Sequence, residues 1–319
     1  MRSPHRIARR AAAAVGLFTL ALTGCSQGGA APAQSARFSL GSRAGADPAT
    51  WTLPLLAYRP TAEQDKSIAD AETTLVRQCM KRLGIDWSPA PALPPIGPRN
   101  LLDWRYGIHD PELTARRGYQ PDAAQLARYN AAVRAQSARP SPSIDTQVAL
   151  GGTDMPADVV KQASPEVRNG SLGGRKLPPG GCFGEARRTL GSATHGISPL
   201  VQKLTNASYG ESKNDPRVKE VFGRWSACMR EKGLKYAAPM DANDDPRFRP
   251  NPNGVSPLEI STAMADLACR DTYRVAEVWH EAEVRVQLGY IQRNKDALTA
   301  DRRALDGVIR VADRVNSRV

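Results

Sequence analysis

Two stretches of this chain repeat one pattern. Residues 75–87 (LVRQCMKRLGIDW) and 224–236 (RWSACMREKGLKY) both read Cys-Met-x-x-x-Gly-apolar-x-aromatic, with Cys79 and Cys228 at equivalent positions. Apolar residues at helical spacing surround each cysteine. Gly84 and Gly233 stand where those helices would stop, since glycine enters the left-handed conformation without a Cβ clash. Proline-rich sequence follows each stretch, and then a second cysteine that opens or crosses a helix: Cys182 after the first, Cys269 after the second. The repeat predicts a duplicated unit of helix, cysteine, glycine stop, proline-rich loop, cysteine and helix. The fold class expected is therefore mainly α, over residues 61–319, in two related units of about 61–196 and 197–319. Two copies are too few for a solenoid. Four cysteines allow three pairings. The duplication favours Cys79 with Cys182 and Cys228 with Cys269, each bond closing a long loop and stabilising by roughly 3–5 kcal/mol in the chain-entropy model.

Whether these cysteines oxidise depends on compartment, and the first 24 residues speak to that. Arg2, His5, Arg6, Arg9 and Arg10 make a positive start, and residues 11–22 form an apolar run of signal-core length, too short to span a bilayer. Leu22-Thr23-Gly24-Cys25 follows. This segment resembles the lipobox of bacterial lipoproteins. The resemblance implies cleavage after Gly24 and a diacylglycerol on the Cys25 thiol. Two acyl chains suffice for stable anchoring. The expected location is the extracytoplasmic face of the cell membrane, lipid-anchored, where the remaining four cysteines would pair. Arg9-Arg10 leaves the export route open between the general and twin-arginine pathways. Residues 25–60 read as the lipidated terminus and a flexible tether, rich in Gly, Ala, Ser and Gln, with an apolar cluster at Trp51, Leu53, Leu55, Leu56 and Tyr58 near its end.

The chain is 319 residues with a net charge of +12. Loss of the signal arginines lowers that to about +8. Export argues against nucleic acid as partner, leaving anionic lipid headgroups or acidic envelope polymers, or simply an arginine-rich composition.

Along the chain, Thr61 and Gln64 match a capping box, and Ile68, Leu75, Val76, Cys79, Met80 and Leu83 predict a helix over 62–83. Five prolines between 87 and 99 forbid a helix or central strand there. A helical run opens at Pro121-Asp122, with Leu126, Tyr129 and Val133 on one face, and ends at Pro140. Residues 143–181 read as loop, interrupted by a brief helix near 157–162. Gly181, Pro199 and Pro216 each open a helix, the prolines at the first helical position. From Pro257 onward almost nothing breaks the helical pattern. Ile291, Leu298, Leu305 and Ala312 recur every seven residues, predicting a long C-terminal helix or a hairpin of two, packed back on the domain.

Chemistry is sparse. No G-x-S-x-G elbow, Walker loop or zincin spacing occurs. The Asp241, Asn243, Asp245 run starts like a calcium loop, but Pro246 stands where glycine is required. Zinc on the cysteines with His280 fits no established spacing. No catalytic residue, metal or cofactor is expected. Asp103, Asp110 and Glu112 are the acids a wall-degrading glycosidase would need, and clustered acids in a polar loop are ordinarily solvated. The densest polar-aromatic stretch, Trp104, Arg105, Tyr106, Arg116, Arg117 and Tyr119, suits a binding surface or, equally, a loop packed on the helices.

The lipobox, the duplicated Cys-Met-x-x-x-Gly with its following aromatic, and the helical partner cysteines together resemble a group of poorly characterised envelope lipoproteins of actinobacteria, over about half of the chain. That group is associated with membrane export machinery and cell-wall-binding proteins. The resemblance implies an accessory role by binding, with no catalytic residues to carry over. The rivals are a peptidoglycan hydrolase and a structural spacer.

Overall fold

The computed structural model describes residues 47–249 and 254–318. The expected signal segment, Cys25 with its expected lipid, and the expected tether up to residue 46 lie outside the described residues. Within them the protein is mainly α, and none of the helices is long and apolar enough to cross a membrane.

Helix α1 (Ala62–Arg82) is where the first half is assembled. The capping box forms as the sequence requires: Gln64 N–H donates to Thr61 Oγ1, and the Thr61 amide donates to Gln64 Oε1. The buried face of α1, running from Ile68 and Ala71 to Val76, Cys79 and Met80, meets three other helices. A proline-rich extended segment then leads to α2 (Pro111–Arg117) and α3 (Ala123–Ser137). The apolar face expected of α3 buries no residue; Gln136 ties that helix to the extended segment by donating to the Pro91 carbonyl at 2.6 Å.

The loop predicted over 143–181 is largely ordered structure. It holds α4 (Ile144–Gly151), α5 (Ala157–Val160), α6 (Pro165–Arg168) and the hairpin β1 (Ser171–Leu172) with β2 (Arg175–Lys176). Ser143 caps α4, whose Val148 and Ala149 are fully buried against α1 and α7 (Gly181–Leu190). Its eight residues gave too few periods for the pattern to register.

The second half comprises α8 (Pro199–Ser212), α9 (Pro216–Glu231) and the short α10 (Pro239–Asn243). The single long element or hairpin expected beyond Pro257 is three helices: α11 (Pro257–Tyr273), α12 (Val275–Arg293) and α13 (Lys295–Asn316). The breaks fall at Arg274, whose φ is +52°, and at Asn294, while Gly289 and Gly307 stay helical. Arginine carries no breaker signal, so the pattern runs through it. The heptad seam of α13 is satisfied inside the chain. Leu298 packs with Leu55 and Val201, and Val308 and Ala312 pack with Ile68 and Ala71 of α1.

Both disulfides are present, Cys79–Cys182 joining α1 to α7 and Cys228–Cys269 joining α9 to α11. This is the pairing the duplication favours. The echo extends to the backbone. The residue after each glycine, Ile85 or Leu234, donates its amide to the carbonyl of the buried Met80 or Met229, and Gly84 and Gly233 have φ near +80°. These are the long bonds of the helix-terminating Schellman motif. The units differ in where the second cysteine sits: at the start of α7, but well along α11. They also interlock, since the last helix packs on the first.

Order begins earlier than residue 61. Asp47 caps a short 3-10 turn, and residues 51–58 form a strap across the second half. Leu53 and Leu55 are buried, the Leu55 amide donates to Gln287 Oε1, and Trp51 rests against His280 and Tyr106.

Candidate functional site

The polar-aromatic stretch folds inward. Tyr106 and Arg117 are buried, Arg105 nearly so, and Trp104 lies under the Arg117 guanidinium at 4.6 Å. Arg116 alone of this set is fully on the surface, near Glu112. Arg105 and the Tyr106 hydroxyl both donate to Glu283, which is completely buried and also accepts from Ser208; Gln287 continues this network to the strap. The Tyr119 hydroxyl, the Trp225 indole and Arg270 all donate to the buried Asp266. Arg270 also reaches the carbonyls of Tyr106 and Pro239, and it passes so close to Gly107 that a Cβ there would lie 2.3 Å from its guanidinium. Two buried acids thus gather this stretch, α8, α9, α11 and α12 around them. Burial holds the Tyr106 phenol well above its ordinary pKa, so it acts only as a neutral donor. These side chains hold helices in register and offer no open face.

The acids considered for hydrolysis have structural partners as well. Asp110 caps α2 by accepting from the Leu113 amide, while Glu112 is exposed. Asp103, Asp47 and His109 offer ligand atoms within 4.8 Å of one another. The Arg99 guanidinium occupies that position, donating to Asp47 and Asp103 at 2.6 and 2.7 Å, and His109 Nε2 bonds Asp103 at 2.9 Å. The positive charge a cation would bring is already supplied. Burial pushes the Asp103 carboxyl up, but Arg99, its backbone amide and His109 outweigh it and hold the group at about 2. Among the described residues the other two histidines are also held, His195 by Glu72 and His280 by the Thr52 carbonyl.

A surface feature with room for a ligand lies elsewhere, at the C-terminal end of α1. A trough of about 1000 Å³ opens between that end, the β1–β2 hairpin and the start of α7. Its floor is apolar, with Leu83 and Leu177 buried and Pro178 and Pro179 beside them. Lys81 and Arg82 come from α1, Arg175 and Lys176 from the hairpin. Arg82 pairs with Glu185 of α7, and Arg175 donates to the Arg82 carbonyl. Lys81 and Lys176 have no ion-pair partner among the described residues. The Cys79–Cys182 bond fixes α1 to α7 directly beneath.

The trough continues. A second hollow of about 430 Å³ shares Gln78 and Lys81 with it and adds Arg77 and Trp87. A third, about 520 Å³, shares Ile85, Asp86 and Trp87 with the second and reaches Arg139 and Pro140. Sequence reading did not bring these residues together as a site. One signal was available: Gly173-Gly174 between two short runs is a two-residue hairpin loop, and both glycines have positive φ, as such a turn demands. That hairpin is what brings Arg175 and Lys176 to the same hollow as Lys81.

No family model, no curated protein and no solved structure matches this chain.

Proposed function

We propose that this protein is a lipoprotein held on the extracytoplasmic face of the cell membrane through Cys25, and that it acts by binding, as an accessory subunit of an export or cell-wall complex. The observation that supports the reading best is the state of the cysteines. Once Cys25 is set apart as the lipid carrier, every remaining cysteine is in a disulfide, and each bond stitches two helices. Such bonds persist in oxidising compartments. Asp110 is committed to a helix cap and Asp103 to its pair with Arg99, whereas the trough presents open cationic side chains over an apolar floor, as a binding site requires.

The test is direct. Expressed in a bacterial host with labelled palmitate, the full chain is expected to carry label and to partition with membranes. Cys25→Ser should abolish both. Alkylation of the denatured, unreduced protein should find no free thiol. Four reactive thiols, or label that survives Cys25→Ser, would overturn the reading.

A further inference from the structure

We propose that the trough at the end of α1 binds a linear anionic glycan, a polymer of sugars or polyols carrying phosphodiester groups along its length. The proposal deepens the reading above and rests on its extracytoplasmic placement. Three features of the site argue for this ligand class.

The first is charge. Arg77 and Lys81 sit one turn apart on α1, about 6 Å along the axis, and Lys81, Arg82, Arg175 and Lys176 all line the first hollow. The acids among the lining residues are Glu185, neutralised by Arg82, and Asp86. The lining charge is therefore positive in the first two hollows and balanced in the third, where Asp86 meets Arg139, and a trough with low-dielectric walls concentrates the positive potential of the first two. The second is length. The three hollows follow one another through shared lining residues, Gln78 and Lys81 between the first two and Ile85, Asp86 and Trp87 between the last two, so cations and apolar faces recur over a stretch longer than one headgroup. Trp87, Pro178, Pro179 and Pro140 give it flat apolar faces, against which the C–H faces of sugar rings can pack between the charges.

The third feature separates a glycan from an acidic peptide. An extended peptide bound along a wall of this kind takes much of its affinity from main-chain pairing. Beside the first hollow, four amides are already taken: Gly174 N–H by Glu166, Leu177 by the Gly170 carbonyl, Gly84 and Ile85 by carbonyls of α1. What that hollow chiefly offers a ligand is side-chain cations and apolar surface.

The full chain, purified in detergent, is titrated calorimetrically with glycosylated poly(ribitol phosphate). Parallel titrations use poly-L-glutamate, duplex DNA and vesicles of phosphatidylglycerol and phosphatidylcholine at 3:7. Wild type is expected to bind the glycan polymer at least tenfold more tightly than any of the three, with affinity falling as salt rises. Lys81→Glu with Lys176→Glu should weaken glycan binding at least tenfold. Arg217→Glu with Lys219→Glu, exposed on α9, should leave it unchanged. Helix content and thiol titration verify that each variant is folded. Equal or tighter binding of peptide, DNA or vesicles overturns the proposal, as does no binding of the glycan, or glycan binding indifferent to the trough reversal. Loss of palmitate labelling with glycan binding intact would instead remove the placement and leave the trough's chemistry standing.

Discussion

At the scale of single residues, the molecule spends its ionisable side chains on holding pieces together. The Arg99 fork is the clearest case, joining Asp47, where the described chain begins, to Asp103 and thereby to His109. The folded-state pKa of Asp103, about 2, lies below its unfolded value of 3.8. A depressed carboxylate stabilises the fold fully above its unfolded pKa, and that contribution disappears as pH falls through the folded one. The difference corresponds to about 2 kcal/mol. Asp103→Asn should therefore lower unfolding free energy by about 2 kcal/mol at pH 6, and the gap to wild type should narrow below pH 4 and close near pH 2. Urea unfolding at pH 6 and pH 2.5 checks this; a gap that stays constant would refute the assignment. The polar-aromatic residues teach a related lesson. Trp, Tyr and Arg are enriched at interfaces, but the same chemistry serves inside a helical domain when a buried acid is present to receive the donors. Here the acids are Glu283 and Asp266, more than a hundred residues away in sequence. Nothing local in residues 104–119 announces them.

At the scale of elements, the two glycine stops are equivalent in structure as well as sequence. A Cβ added at Gly84 or Gly233 meets no other atom within 4 Å, so only the positive φ resists it. Gly84→Ala and Gly233→Ala should each cost about 1 kcal/mol, and the two losses should agree closely in urea midpoint. A much larger loss at one of them would mean that its glycine also makes room for a neighbour. Elements with strong local signals were readable from sequence: the capping box of α1, the proline starts of α8 and α9, the glycine stops. Those whose boundaries depend on tertiary contacts were not. The break at Arg274 has no glycine or proline to mark it. Helix α4 is too short for periodicity, and the strap carries a tether-like composition until its few leucines find Gln287 and Val201. The trough was unreadable for a further reason. Its cations come from α1 and from a hairpin about ninety residues later, and only the fold brings them together.

At the scale of the whole molecule, the two disulfides close loops of unequal length, spanning 103 and 41 residues of sequence. In the chain-entropy model the longer loop contributes more, by roughly 0.8 kcal/mol. Both bonds sit in packed clusters, so the local cost of a serine should be similar at each. The Cys79→Ser, Cys182→Ser pair is thus expected to lose slightly more stability than the Cys228→Ser, Cys269→Ser pair, measured by thermal unfolding. The reverse order would show that packing around the bonds, rather than loop closure, governs their worth.

The contact between the final helix and α1 also sets a schedule. A polypeptide that emerges amino-terminus first leaves Ile68 and Ala71 incompletely covered until the 22 residues of α13 appear and lay Val308 and Ala312 over them. Completion of the earliest segment therefore waits on the latest one. A stop codon placed before Lys295 would release a product in which the α1 face around Ile68 and Ala71 keeps Leu190 of α7 but loses the cover of α13, so quality-control proteases would meet it at α1 as well as at its truncated end.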